Sequence, residues 1–193
     1  MAYIPKRATP ATAAANSAAV ARYDMDDRQD FADADRGFIA PFPDKLHGAD
    51  GRVIFDASNF DYIADDAVPD TVHPSLWRQS QVIRKGGLYK VVDGIYQVRS
   101  NDIANLTVVE GETGLVIVDC MASVEAASQG MTMIREHVSD KPVAAVIYTH
   151  THTSTTTAAS RGSSVPRRWP RARCRSSRRA RSPPSTSTRS ART

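Results

Sequence analysis

The sequence predicts a mixed α/β fold, because two patterns follow one another along the chain. Residues 86–119 alternate between short β-prone runs and turn residues, as an antiparallel meander does. Beyond residue 119 the apolar spacing changes to about 3.6 residues and then gives way to a continuous apolar run, which is typical of a helix followed by a buried strand. We therefore expect a sheet that begins as a meander and ends in a strand, helix and parallel strand.

Charge is divided unequally along the 193 residues, whose formal net charge is +4. Residues 154–193 contain 11 Arg and no Lys, Asp or Glu, so the remainder of the chain carries −7. The pI of about 9.3 therefore does not describe the part expected to fold. No apolar run approaches the roughly 20 residues of a membrane span. We expect a soluble chain without a transmembrane segment.

The two cysteines, Cys120 and Cys174, are too few and too far apart for a disulfide framework or a cysteine-based zinc site. They slightly favour a reducing, cytoplasmic compartment over a periplasmic or secreted one. Residues 1–22 are rich in Ala, Ser and Thr but lack the continuous apolar centre of a secretory signal. The sequence therefore predicts a flexible leader over residues 1–22.

Residues 23–85 are expected to form an N-terminal arm with a turn and one helix. The acidic, turn-rich stretch 23–43 has only scattered aromatic anchors and is expected to lie on a neighbouring surface without a core of its own. Pro74 stands where an early helical position tolerates its missing N–H, so a short helix is predicted from there.

The predicted meander occupies residues 86–119. An Asp-Gly pair separates the β-prone runs 88–92 and 95–99, which is a strong hairpin signal. Two further runs, 105–110 and 114–119, are separated by the turn residues 111–113. Four consecutive antiparallel strands are the expected result.

One apolar stripe then predicts a helix. Its members recur at helical spacing and are Val124, Ala127, Met131, Ile134 and Val138. Ser123 is the expected N-cap, and Pro142 is expected to end the helix. Residues 143–148 form an uninterrupted apolar run, which predicts a strand buried on both faces and parallel to the strand 114–119.

Two histidines follow this last strand. In α/β proteins the carboxyl ends of parallel strands open onto the crevice where ligands bind. His150 and His152 are two residues apart, so in an extended segment both imidazoles project to the same side and can contact one ion. Taken alone, a His-x-His pair is also compatible with two loop histidines that bind no metal.

Several segments between residues 26 and 152 resemble the zinc-dependent alkyl sulfatases of the metallo-β-lactamase superfamily. They are the runs Asp-Arg-Gln-Asp-Phe (27–31), Pro-Ser-Leu-Trp-Arg-Gln (74–79), Asp-Gly-Ile-Tyr-Gln-Val-Arg (93–99) and Val-Ile-Tyr-Thr-His-Thr-His (146–152). The resemblance implies that residues 86–153 are the N-terminal part of an αββα sandwich. It also implies that His150 and His152 are ligands of one of two zinc ions; no catalytic residue is assigned.

The resemblance further implies an activity. Complete relatives are expected to hydrolyse linear primary alkyl sulfate esters, such as dodecyl sulfate, to an alcohol and sulfate, and to form homodimers. Asp119, at the end of the strand 114–119, has two open interpretations. Its carboxylate either orients a ligating imidazole from the second coordination sphere or caps a turn.

The family pattern breaks after Thr153. The resemblance predicts His-x-His-x-Asp-His followed by Gly-Gly, whereas the chain continues Ser-Thr-Thr-Thr-Ala-Ala-Ser over residues 154–160. If these are encoded TCG ACC ACT ACG GCG GCG TC, reading from the third base gives Asp-His-Tyr-Gly-Gly-Val. We therefore expect a reading-frame slip between His152 and Ser154, and an inactive fragment as its product.

Residues 154–193 are expected to be a disordered tail, read out of frame, in which 16 of the 40 residues are Ser or Thr. Two alternatives of other classes remain open. One is a nucleic-acid-binding protein that uses this basic tail, although nucleic acid is the less favoured partner. The other is a noncatalytic metal-binding module that uses the two histidines.

Overall fold

The computed structural model describes residues 6–64 and 67–150. Its helices are α1 (Pro10–Val20), α2 (Gln29–Asp35), α3 (Pro74–Ile83) and α4 (Val124–His137), with a 3-10 helix over Ala57–Ala64. Its strands are β1 (Phe38–Pro41), β2 (Lys45–His47), β3 (Val53–Asp56), β4 (Gly87–Val92), β5 (Ile95–Arg99), β6 (Leu106–Glu110), β7 (Leu115–Cys120) and β8 (Val143–Ile147). Within these residues, no helix is long and apolar enough to cross a bilayer.

Most of the sheet is the predicted meander. Six strands form a sheet in the order β1-β4-β5-β6-β7-β8 in the described part of the chain, and β2 and β3 form a separate antiparallel hairpin. Gly94 in the β4–β5 turn has a φ of 77°, a left-handed conformation that glycine adopts without a steric penalty. β7 and β8 are parallel, as expected for strands joined by a crossover helix. The mixed α/β prediction is therefore confirmed.

Helix α4 covers one face of the sheet through the predicted apolar stripe. Met131 and Ile134 are almost fully buried in the core. The Ser123 hydroxyl accepts a hydrogen bond from the backbone N–H of Ala126 at 3.1 Å, which confirms the N-cap. The helix ends at His137, earlier than a stop at Pro142 would place it.

Strand β8 differs from its prediction. The sequence predicts burial on both faces, but β8 lies at the edge of the sheet and pairs with β7 alone among the described residues. Val143 is buried, whereas Ile147 is 50% exposed. A continuous apolar run has the same appearance in an edge strand and in a central strand, so the pattern could not distinguish the two.

The N-terminal region is more ordered than its sequence predicts. In place of a flexible leader over the whole of residues 1–22, residues 10–20 form α1. The side chain of Thr9 caps α1, and the high alanine content of α1 favours a helical backbone. Asn16 donates to the backbone carbonyl of Asp70 at 2.9 Å, which ties α1 to the segment before α3.

The acidic arm lies on a neighbouring surface, as expected, and also forms a strand that the sequence did not predict. β1 adds to the edge of the sheet beside β4, and Ala40 and Phe42 are buried in the main hydrophobic cluster. Two arginines hold the chain that precedes β1. Arg78 donates to the carbonyl of Met25 at 3.1 Å, and Arg99 donates to the carbonyl of Ala34 at 2.6 Å.

The packing of α4 predicts a large effect of shortening Met131. The substitution Met131→Ala removes a fully buried side chain, so it should lower the free energy of unfolding by about 2–5 kcal/mol. Thr132→Ala, at the exposed neighbouring position, should change it by no more than about 0.5 kcal/mol. Urea denaturation followed by circular dichroism measures both; equal effects would show that α4 does not cover the sheet as described.

An ion pair links the end of β6 to the approach to β8 and predicts a shift in titration. Lys141 Nζ donates to Glu110 Oε1 at 2.9 Å, and this hydrogen bond lowers the pKa of the Glu110 carboxyl. The pair therefore contributes to stability above the carboxyl's unfolded-state pKa, and that contribution is lost as pH falls through the lowered folded-state pKa. Lys141→Met should raise the pKa of Glu110 in an NMR titration; an unchanged value would contradict the pairing.

Candidate metal centre

The candidate site lies where β7 and β8 end. The two strands run in parallel, so their carboxyl ends lie next to each other at the same end of the sheet. Asp119 is the penultimate residue of β7, and Thr149 and His150 follow β8. The structure thus brings the predicted ligand His150 beside the acidic residue for which the sequence leaves two roles open.

Asp119 connects the two strand ends through both carboxylate oxygens. Oδ1 accepts a hydrogen bond from the backbone N–H of Thr149 at 2.9 Å, and Oδ2 accepts one from the Thr149 hydroxyl at 2.6 Å. The same hydroxyl oxygen lies 2.8 Å from Nδ1 of His150. A chain of three side chains therefore joins the end of β7 to the imidazole.

This hydrogen-bond chain selects one tautomer of His150. An ionised carboxylate can only accept hydrogen bonds, so the single hydroxyl proton of Thr149 is donated to Asp119. The hydroxyl oxygen then accepts from Nδ1–H of His150. In the neutral imidazole the ring lone pair then resides on Nε2, the nitrogen that would remain available to a metal ion.

The backbone at the end of β7 is in an unusual conformation. Asp119 and Met121 have φ values of 51° and 61°, in the left-handed region that side-chain-bearing residues rarely occupy. The carboxylate of Asp102 accepts a hydrogen bond from the backbone N–H of Ala122 at 2.8 Å and so helps to hold this turn. Strained backbone of this kind concentrates at functional sites, where surrounding contacts maintain it.

The described residues supply one of the two predicted ligands. His150 is at the expected strand end, whereas His152 lies outside the described residues. Within 6–64 and 67–150, no three His, Cys, Asp or Glu side chains are gathered closely enough to hold an ion. The donor chemistry of His150 fits a metal ligand, and its oriented ring supports that fit. Thr149 was missed because a single threonine after a strand carries no distinctive signal.

Cys120 is not a candidate ligand at the carboxyl ends of β7 and β8. Its side chain is buried, and burial raises the pKa of the thiol above its ordinary value. A buried neutral thiol is a poor metal ligand, because thiolate is the binding form. Cys174 lies outside the described residues.

Comparison with known proteins identifies the class of this chain. Residues 99–153 match the model of the metallo-beta-lactamase superfamily, and this span contains β6, β7, α4, β8 and both predicted ligands. The matched span is therefore similar to that superfamily. The matched region contains the hydrogen-bond chain from Asp119 to His150.

The relatives within the superfamily are alkylsulfatases. The chain is 48% identical over 149 residues to a linear primary-alkylsulfatase of a Pseudomonas species, a match that covers 76% of this chain and 22% of that protein. It is 38% identical over 148 residues to an alkyl/aryl-sulfatase of Saccharomyces cerevisiae, covering 76% of this chain and 23% of the relative.

A solved structure agrees. The stereoselective inverting sec-alkylsulfatase of a Pseudomonas species superposes with a TM-score of 0.75 at 37% identity, over 84% of this chain and 25% of that one. The chain spans less than a quarter of the length of the two curated relatives.

The hydrogen bonds of Asp119 predict a local effect that does not depend on metal. Asp119→Ala removes the acceptor of the Thr149 backbone N–H, so exchange of that amide with solvent should accelerate by up to about tenfold. Asp140→Ala, at an exposed acidic position before β8, is the matched control and should leave it unchanged. NMR-detected hydrogen exchange measures both; a slow Thr149 amide in Asp119→Ala would rule out the connection between the strands.

Proposed function

We propose that the chain is a segment of a zinc-dependent alkyl sulfatase whose complete form hydrolyses linear primary alkyl sulfate esters to an alcohol and sulfate. The observation that carries the proposal is the oriented imidazole of His150, at the end of β8, within a segment 48% identical to a linear primary-alkylsulfatase. The small-molecule substrate follows from the activities of the relatives. Homodimer formation by the complete protein is part of the same proposal.

His150 and His152 are the proposed zinc ligands in this chain. Imidazole nitrogen is a common zinc donor, and Asp119 and Thr149 supply the outer hydrogen bonds that such ligands require. When bound, zinc supplies Lewis-acid polarisation of the sulfate ester and activation of the attacking nucleophile. The contribution of this chain would be to hold His150 with Nδ1 protonated, which would leave Nε2 available to the ion.

The departure after Thr153 is part of the proposal. The codons allowed for residues 154–160 include a set that, in the shifted frame, encodes Asp-His-Tyr-Gly-Gly-Val. That reading supplies an aspartate and a histidine at the family spacing, and hence more ligands than the chain as written. We infer a frame slip in the gene or in its sequencing, and an inactive product.

The described sheet supports the view that further chain is needed for a stable protein. Side chains alternate along each strand, so residues adjacent to the buried Val108 and Ile117 face away from α4. Val109 and Val116 on that opposite face are only partly buried, and Ile147 is exposed. An apolar face and an open edge of this kind favour aggregation.

Expression from a gene with two bases deleted between the codons for His152 and Ser154 tests the function, because that deletion restores the spacing His-x-His-x-Asp-His. The restored product should hydrolyse dodecyl sulfate and retain zinc, whereas the 193-residue chain should have no measurable hydrolysis. In the restored protein, the pair His150→Ala and His152→Ala should abolish both properties. His137→Ala, at an exposed position of α4, should abolish neither.

Three results would contradict these proposals. Dodecyl sulfate hydrolysis by the 193-residue chain with added zinc would overturn the inactive fragment. Zinc retention by the double histidine variant equal to that of its parent, measured by elemental analysis, would remove the ligand assignment. A confirmed DNA sequence and intact mass, together with relatives that share the same arginine-rich extension, would disprove the frame slip.

A further inference from the structure

A β-bulge in β7 sets the direction of the carboxylate that connects the two strand ends. In the pairing of β6 with β7, Leu106 lies opposite Cys120, whereas Thr107 lies opposite Val118. Asp119 is therefore an extra residue in β7. A bulge of this kind bends its strand and re-aims the side chain at the inserted position. The left-handed φ of Asp119 belongs to the same irregularity.

The bulge keeps the carboxylate out of the core. Side chains alternate along a strand, and Leu115 and Ile117 are fully buried. Unbroken alternation would place Asp119 on that buried face as well. With the inserted residue, Cys120 takes the buried position at 2% exposure, and Asp119 is only partly buried. The bulge therefore decides whether Asp119 faces the core or reaches Thr149.

Two contacts hold the chain that follows the bulge. Met121 is 4% exposed and lies against α4, where a Cβ on Gly130 would be 3.4 Å from its Sδ. Asp102, in the loop between β5 and β6, holds the backbone, because its Oδ2 accepts the N–H of Ala122 at 2.8 Å. Its Oδ1 accepts the N–H of Ile103 at 2.6 Å, which fixes the orientation of the carboxylate.

The contact of Asp102 extends the pairing of β6 with β7 beyond the bulge. The two strands are antiparallel, so residues that precede Leu106 meet residues that follow Cys120. The backbone after the bulge is thus held by strand pairing at Cys120 and by a carboxylate at Ala122. Loss of the carboxylate removes a restraint against a change of register, and a slip of one residue reverses the face that each side chain takes.

We propose that Asp102 is a positioning residue for the imidazole of His150. It acts through the backbone of Ala122 and the bulge on the carboxylate of Asp119. That carboxylate holds Thr149, whose hydroxyl contacts Nδ1 of His150. A loop between β5 and β6 thereby controls the orientation of a side chain that follows β8. The consequence for metal binding rests on the proposed function, in which His150 is a zinc ligand.

Hydrogen exchange of the Thr149 amide, measured by NMR in the purified 193-residue chain without metal, tests the proposal. Asp102→Ala should accelerate this exchange by about three- to tenfold, the factor that one hydrogen bond supplies. The Leu115 amide donates to the Pro142 carbonyl at 2.9 Å at the other end of the same strand pair, and its exchange should not change. Glu112→Ala, at an exposed position of the β6–β7 turn, is the matched control and should affect neither amide.

Two further variants separate the hydrogen bond from the negative charge. Asp102→Asn keeps an oxygen that can accept the Ala122 N–H, so its Thr149 exchange should return towards the parental rate. Asp102→Glu keeps the charge but displaces it by one methylene, so it should behave as Asp102→Ala does, and it replaces that variant if Asp102→Ala does not fold. NMR of the ring nitrogens should show the same order of variants in the share of neutral His150 protonated at Nδ1.

The proposal is wrong if Asp102→Ala leaves the exchange of Thr149 unchanged, or if Thr149 and Leu115 accelerate together, as a general loss of stability would cause. It is also wrong if Asp102→Asn exchanges as fast as Asp102→Ala. A different result would refute the ligand assignment alone. In that case Thr149 responds as expected, but the frame-restored protein retains zinc after both histidines are replaced, and the action of Asp102 on His150 stands.

Discussion

The carboxylate of Asp119 is the interaction on which the candidate site depends. It accepts hydrogen bonds from the backbone N–H and the hydroxyl of Thr149, and so connects the end of β7 to the end of β8. Two strand ends separated by 30 residues of chain are thereby fixed to each other, and His150 receives its orientation from that connection. A histidine on an untethered loop would have to lose its rotational freedom when it bound a metal ion; here much of that ordering accompanies folding.

The fold was most predictable where local patterns and tertiary contacts agree. The Asp-Gly turn before Ile95, the cap at Ser123 and the stripe through Met131 each depend on nearby residues, and each is confirmed. The prediction failed where the outcome depends on distant partners. The pairing of β1 with β4 joins residues about fifty positions apart, and a short run such as Phe38–Pro41 carries no mark of the strand beside it.

The candidate site was likewise predictable where the signal is local and not where it depends on distant residues. His150 was recognisable because histidines that follow an apolar strand are chemically distinctive, and the family resemblance strengthened that interpretation. The hydroxyl of Thr149 became apparent only when the two strand ends were seen together.

The separation between β1 and β4 has a consequence for biosynthesis. The ribosome releases Phe38 well before Tyr89, with which Phe38 pairs. Strand β1 therefore cannot pair with β4 until β4 has been synthesised. Hairpins such as β4–β5 can close as soon as they emerge, since their contacts span few residues. Joining β1 to β4 therefore carries a larger loop-closure cost than closing the neighbouring hairpin.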